Sequence, residues 1–225
     1  MIMNDIHIIS NLKLHPNKGL VSKDSDGKWI QTHHQQGDLD GACAVYSLIM
    51  NLLILGKISE QEISIYNKIN RRTRRGKFLS HFLEDQGLIR DGYGYRSLAK
   101  EIRDYCPIEL GIDAHRKKPH DLEETVKCII KQIEDDYPAI ISIEFSDSSA
   151  HALLAIGIEY NENNDPIRIM CLDPGVSSPL LAKWNCVIDF SISKMSNSTV
   201  YYMTDRTSVK VDLGDLLLIT ETDKV

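Results

Sequence analysis

The sequence is short of the features that would place it quickly. No apolar run approaches the roughly 18–20 residues that cross a bilayer, so no membrane span is expected. Its 5 cysteines hold no Cys-x-x-Cys. The odd count and wide spacing of Cys43, Cys106, Cys128, Cys171 and Cys186 argue against a disulfide framework and against structural zinc. There is no Gly-x-Ser-x-Gly, no His-Glu-x-x-His and no phosphate loop; Gly92-Tyr93-Gly94-Tyr95 lacks the Lys-Ser/Thr that would make one. Positive charge is scarce as well: 26 Lys+Arg against 32 Asp+Glu give a net charge of −6, without the broad positive field that holds nucleic acid. The start, Met1-Ile2-Met3-Asn4-Asp5-Ile6-His7, has no basic stretch followed by an apolar one. A cytoplasmic location is therefore expected, with a signal-less export route left open.

What is present is an ordinary globular composition, 42% apolar and 26% charged over 225 residues. That is enough for one large domain with a full core, and no linker or repeat divides it. Alternating residues at Ile6–Ile9, Leu20-Val21 and Trp29–Gln31 read as strands, the last two joined through an Asp26-Gly27 turn. Ala44 to Leu55 is apolar nearly all round and closed by Gly56, the pattern of a buried helix. Further helices are expected from a Ser59-Glu60-Gln61-Glu62 capping box with a stripe Ile63, Tyr66, Ile69. Others follow at Phe78–Leu83, stopping near Gly87, at Ser97–Tyr105, and from Asp121 to before Pro138. Strands are then expected at Ala139–Phe145, His151–Tyr160, Ile167–Leu172, Cys186–Ile192, Thr199–Met203 and Ser208–Thr220. The layout is α+β: a helical N-terminal half, then a mostly antiparallel C-terminal sheet.

Four of the cysteines read as small core residues. Cys43 differs. A loop from Gly37 to Gly41 leads into the buried helix, and Cys43 falls in its first turn. Unpaired N–H groups and the positive end of the helix dipole favour a thiolate there. His151 opens a strand directly after the polar turn Ser146–Ser149, where it can face a cleft as a base. Asp173 ends the next strand, and a hairpin brings the start of one strand beside the end of the other. It is thus placed to fix the imidazole tautomer. Gln36, 7 residues before Cys43, offers an amide donor to an oxyanion, with Gln35 as the neighbouring choice. His33-His34 cannot readily chelate one ion as an adjacent pair and reads as surface loop, so no metal and no cofactor is expected. The basic run Arg71-Arg72-Thr73-Arg74-Arg75-Gly76-Lys77 reads as a solvated helix end or, more sharply, a patch for an acidic partner.

These residues resemble the papain-like cysteine peptidases. Gln36-Gly37…Gly41-Ala42-Cys43-Ala44-Val45-Tyr46-Ser47 is similar to the family's Gln-Gly and Gly-Ser-Cys helix start, and His151–Gly157 to its His strand. Leu172-Asp173-Pro174-Gly175 resembles the bacterial branch that trims double-glycine leader peptides. The match spans roughly residues 33 to 176 of a single 1–225 domain. Ala44 stands where the family has Gly or Trp, no Asn-Ser-Trp motif occurs, and the Gln36-to-Cys43 spacing is one longer than in papain. The resemblance implies a papain-like fold with the nucleophile on a central buried helix packed on the sheet. It implies a thiol-dependent hydrolase acting on a peptide or protein, with Cys43, His151 and Asp173 as triad. The same triad serves deamidation, transglutamination and isopeptide cleavage, and a non-catalytic binding module can keep the same motifs.

Overall fold

The structure, a computed structural model, describes residues 5–37, 41–64, 66–85, 93–118, 121–191 and 199–222. Positions 38–40 of the loop before Cys43, the helix stop near Gly87, Gly92, and Ile192 of one expected strand lie outside those residues. Strands β1 (Asp5–Ile8), β2 (Lys13–His15), β3 (Gly19–Lys23) and β4 (Trp29–Gln31) come first. Helices α1 (Cys43–Ile54), α2 (Glu60–Ile63), α3 (Arg74–Ser80) and α4 (Tyr95–Tyr105) follow. Then come β5 (Ile112–Lys117), α5 (Leu122–Glu134), β6 (Ala139–Glu144), β7 (Ala150–Tyr160), β8 (Pro166–Leu172), β9 (Cys186–Asp189), β10 (Thr199–Thr204) and β11 (Ser208–Glu221).

The C-terminal strands do not form an open sheet. They pair antiparallel in the circuit β7-β6-β11-β10-β9-β8, and β8 pairs back onto β7, so six strands close into a barrel. This corrects the expectation of an α+β, papain-like layout with a central helix packed on a mostly antiparallel sheet. Among the described residues these strands form a closed ring, and α1 touches it at β7 and β6. Nor is the N-terminal half simply helical: β1 joins the barrel at β7, β5 joins it at β11, and β2-β3-β4 make a small separate sheet. The physical reason is that alternation marks a strand with one buried face, and an open sheet and a closed ring alternate alike. Closure depends on long-range pairings that no single segment encodes.

Local chemistry explains most element boundaries. Asp24 accepts from the N–H groups of Asp26 and Lys28, and Gly27 takes the left-handed φ of +73° that the β3–β4 turn requires. Gly56, at φ +62°, terminates α1. The capping box at Ser59 and Glu62 is formed, but its helix lasts one turn. Ser64 turns extended and Tyr66 is 90% exposed, so the apolar stripe through Ile63, Tyr66 and Ile69 is not a helical face. Part of the basic run is engaged within the protein itself. Thr73 caps α3 by accepting from the Gly76 N–H, Arg71 binds Glu84 at 2.7 Å, and Arg75 reaches Glu62 and the Lys57 carbonyl, each at 2.6 Å.

One glycine shows how β1 is admitted to the barrel. A methyl group at Gly157 would stand 2.6 Å from the His7 carbonyl oxygen and 2.2 Å from Ile8 Cδ1. The β1 backbone crosses β7 there at a distance only glycine allows. Gly157→Ala is expected to force β1 away and lower stability by about 1–3 kcal/mol, read from the midpoint of urea unfolding.

Candidate active site

Cys43 is the first residue of α1, and every residue from Ala44 to Ile54 except Tyr46 is buried. The helix is thus fixed by the core, while its N-terminus carries the sulfur. Ala42 at the N-cap has no polar side chain to occupy the first-turn N–H groups, and the helix has no acidic residue in its first turn. The Ala44 N–H points to the sulfur, and the Ala152 N–H donates to it from β7 at 3.4 Å. Ser47 Oγ, one turn on, donates to the Ala152 carbonyl at 3.4 Å, tying helix and strand together.

His151 stands at the start of β7. Its Nε2 meets Asp173 Oδ1 at 2.6 Å, and its side chain hydrogen-bonds the Cys43 sulfur. Asp173 is 1% exposed, and its carboxylate is fully engaged. Oδ1 also accepts from the Gly175 N–H at 2.5 Å, and the buried Tyr202 hydroxyl donates to Oδ2. A methyl group at Gly175 would lie 3.5 Å from His151 Nε2 and 3.1 Å from Asp173 Oδ1, so the loop backbone packs directly on the pair.

The electrostatics follow from this geometry. Burial pushes the Cys43 thiol up, but the His151 hydrogen bond and charge, with the N–H groups of Ala152 and Ala44, outweigh it and hold the thiol below its ordinary value. Burial pulls His151 down, but Asp173 and Cys43 together raise it to about 10. Burial pushes Asp173 up, and His151, Tyr202 and the Gly175 N–H bring it below the usual carboxylate range. The three directions are mutually consistent: the charged form of each group is favoured by the charge and hydrogen bonds of its neighbours.

Gln36 is placed differently. Its backbone N–H donates to the Pro174 carbonyl at 2.8 Å, binding it to the loop that carries Asp173. Its side-chain oxygen is buried without a partner, and among the described residues no hydrogen bond joins it to Cys43. Gln35 is exposed. Three neighbours of Asp173 escaped the sequence reading. Asn185 accepts from the Asp173 N–H at 2.7 Å and donates to its carbonyl at 2.9 Å. Tyr202 comes from β10. His33, expected at the surface, is 1% exposed, and its Nε2 meets the Asp173 carbonyl at 2.8 Å. None of the three has a local pattern; only the fold brings them in. Among the described residues, no group of three His, Cys, Asp or Glu is arranged to hold a metal ion, and no helix is long and apolar enough to cross a membrane.

No protein-family model matches this chain, and no curated protein does. Among solved structures, the crystal structure of UfSP from C. elegans matches with a TM-score of 0.46 at 12% sequence identity, over 100% of this chain and 36% of that one. The chain thus spans about a third of the structure it matches. A likeness of that degree says nothing of activity, and the chemistry rests on this chain's own atoms.

Tyr202→Phe removes one donor from a buried carboxylate, an expected loss of about 1–3 kcal/mol. The pH dependence has a definite sign. Asp173 is depressed in the folded state, so its stabilisation is present above the ordinary carboxylate pKa and lost as pH falls through the folded value. The gap between wild type and Tyr202→Phe is therefore expected to be widest near neutrality and to narrow as pH drops below about 4, measured by urea unfolding at both pH values.

Proposed function

We propose that this protein is a thiol-dependent acyl-transfer enzyme, a cysteine peptidase. The observation that carries the reading is the single imidazole, His151, held between a buried, fully hydrogen-bonded Asp173 and a sulfur at a helix N-terminus. In this reading the Cys43 thiolate attacks the carbonyl carbon of a peptide or isopeptide bond. The carbonyl π electrons move to oxygen, and the oxyanion is met by backbone N–H groups of the α1 N-terminus and by the Gln36 amide. The His151 imidazolium then protonates the departing amine, leaving a thioester. The neutral imidazole next takes a proton from water, whose oxygen attacks the thioester and restores the thiolate. Asp173 keeps the ring oriented and stabilises its charged form throughout. No cofactor enters these steps.

The order of substitution effects tests the assignment. With an activated ester as substrate, Cys43→Ala is expected to abolish turnover and His151→Ala to cost nearly as much, because the two act as a unit. Asp173→Ala is expected to cost less. Gln36→Ala should lower kcat by about 10²–10³ if it is the oxyanion donor; a loss of that size at Gln35→Ala instead moves the role one residue along. Circular dichroism would show whether each variant keeps its fold.

Reactivity gives a second, substrate-independent check. Iodoacetamide at pH 6 is expected to label Cys43 first. Cys171 and Cys186 are buried, and burial pushes the Cys106 thiol up to about 11. Cys128, 2.9 Å from the Lys117 ammonium, is the internal competitor. In His151→Ala, Cys43 should lose its advantage at pH 6 and regain it only as pH rises. Faster labelling of Cys128 in the wild type would remove the assignment of Cys43.

A further inference from the structure

Acyl transfer through a thioester has a polarity in space. The acyl portion of the substrate becomes bonded to sulfur, and the leaving group takes its proton from the imidazole. Whatever binds the leaving group must therefore lie on the histidine side of the reactive pair. Two cavities meet at Gln35. One, of about 480 Å³, follows α1 from Ala42, the residue before Cys43, over Val45 and Ile49. The other, of about 700 Å³, opens at Gly175 and is bounded by Leu180, Leu181, Trp184, Val187 and Met203. Neither Cys43 nor His151 lines either cavity; Gln35 lines both. The junction between them is flanked by Ala42 on the sulfur side and by Gly175, packed on the imidazole, on the other.

The larger cavity has a definite chemistry. Leu180 is 72% exposed and Leu181 98% exposed. Single exposed leucines need no explanation, but two in succession at the mouth of a cavity, with a half-buried tryptophan beside them, form an apolar surface that is not covered by the protein itself. The charged residues at its rim, Asp205 and Arg206, lie 3.7 Å apart and offset each other. The volume falls within the roughly 300–1,000 Å³ that accommodates a ligand of several residues' bulk.

We infer that this cavity receives the leaving-group side of the substrate and that its occupant is an apolar polypeptide segment, an inference that rests on the thiol acyl-transfer reading of Cys43. A deamidase releases ammonia from a side-chain amide and has no use for such a surface beside its histidine. A peptidase releases a chain that fills it.

Interception of the acyl-enzyme tests this directly, since an incoming amine occupies the place the leaving amine vacates. The enzyme is acylated on Cys43 with the p-nitrophenyl ester of N-acetylphenylalanine, releasing p-nitrophenol. Water then competes with either leucyl-leucine amide or glycyl-glycine amide for the thioester. The amine nitrogen attacks the carbonyl, His151 accepts its proton, the thiolate departs, and a new amide is formed. Mass spectrometry gives the ratio of amide to acid. Leucyl-leucine amide is expected to raise that ratio about tenfold over glycyl-glycine amide, the effect of one partly covered leucine side chain. The double variant Leu180→Ser, Leu181→Ser should bring the two amines together. Equal ratios in the wild type, or preference for a charged amine such as lysyl-lysine amide, would overturn the inference while the catalytic reading stood. Ester turnover unchanged in Cys43→Ala would overturn both.

Discussion

A buried carboxylate organises this site. Asp173 is 1% exposed, and an unpaired charge at that depth would cost several kcal/mol. The chain meets the cost with three donors: His151 Nε2, the Gly175 N–H and the Tyr202 hydroxyl. Its backbone is held as firmly, by Asn185 at both N–H and carbonyl and by His33 at the carbonyl. Four separate stretches of chain thus converge on one residue: the segment after β4, the start of β7, the loop from β8 to β9, and β10. Any rearrangement that moved His151 out of line would cost the buried charge its imidazole partner.

Barrel register explains why that convergence is geometrically possible. β7 and β8 pair with Leu154 opposite Leu172 and Ala155 opposite Cys171. Continued by one residue, the same register sets Asp173 opposite Leu153, and His151 becomes its diagonal neighbour on the same face, a separation that long side chains bridge readily. Because β8 also pairs with β9, and β9 with β10, the ring closes behind Asp173 and delivers Tyr202 to its second oxygen. An open sheet ending at β8 would leave that oxygen without the β10 hydroxyl. The β8–β9–β10 pairings that form one side of the barrel are thus also the ones that satisfy the carboxylate.

Legibility in the sequence follows the range of the interaction. Cys43 was readable because a glycine-bearing loop running into an apolar helix is a local signal, and the Asp26-Gly27 turn and the Ser59 capping box were readable for the same reason. His151 and Asp173 needed one further step, a hairpin, and that too is short-range. The rest of the site required the whole fold. Tyr202 is 29 residues from Asp173 and His33 is 140 away. His33 sits in a polar stretch that resembles a surface loop, although the fold buries it under the Asp173 carbonyl. Strand β5 was missed because only Ile112 and Ala114 alternate before the segment turns polar at His115, Arg116 and Lys117. Barrel closure left no local mark, so the layered arrangement expected from the motifs was wrong although Cys43, His151 and Asp173 lie together.

Rigidity and exposure are divided between the elements in a way that suits covalent chemistry. The sulfur belongs to a helix whose other residues are almost all in the core, and the imidazole to an 11-residue strand paired on both edges. Neither can shift without disturbing the core, so the sulfur and the imidazole are held in place by the fold itself. The segment from Val176 to Trp184 has the opposite character. It contains no helix or strand, it is anchored by the Asn185 amide to the carbonyls of Val176 and Ser177, and it carries its leucines outward. One end of this loop is Gly175, whose backbone packs on the His151 imidazole and the Asp173 carboxylate. Substitution along the exposed part is expected to leave the Asp173 anchor in place, because the hydrogen bonds that fix the anchor come from Asn185, His33 and Tyr202 and not from the leucines.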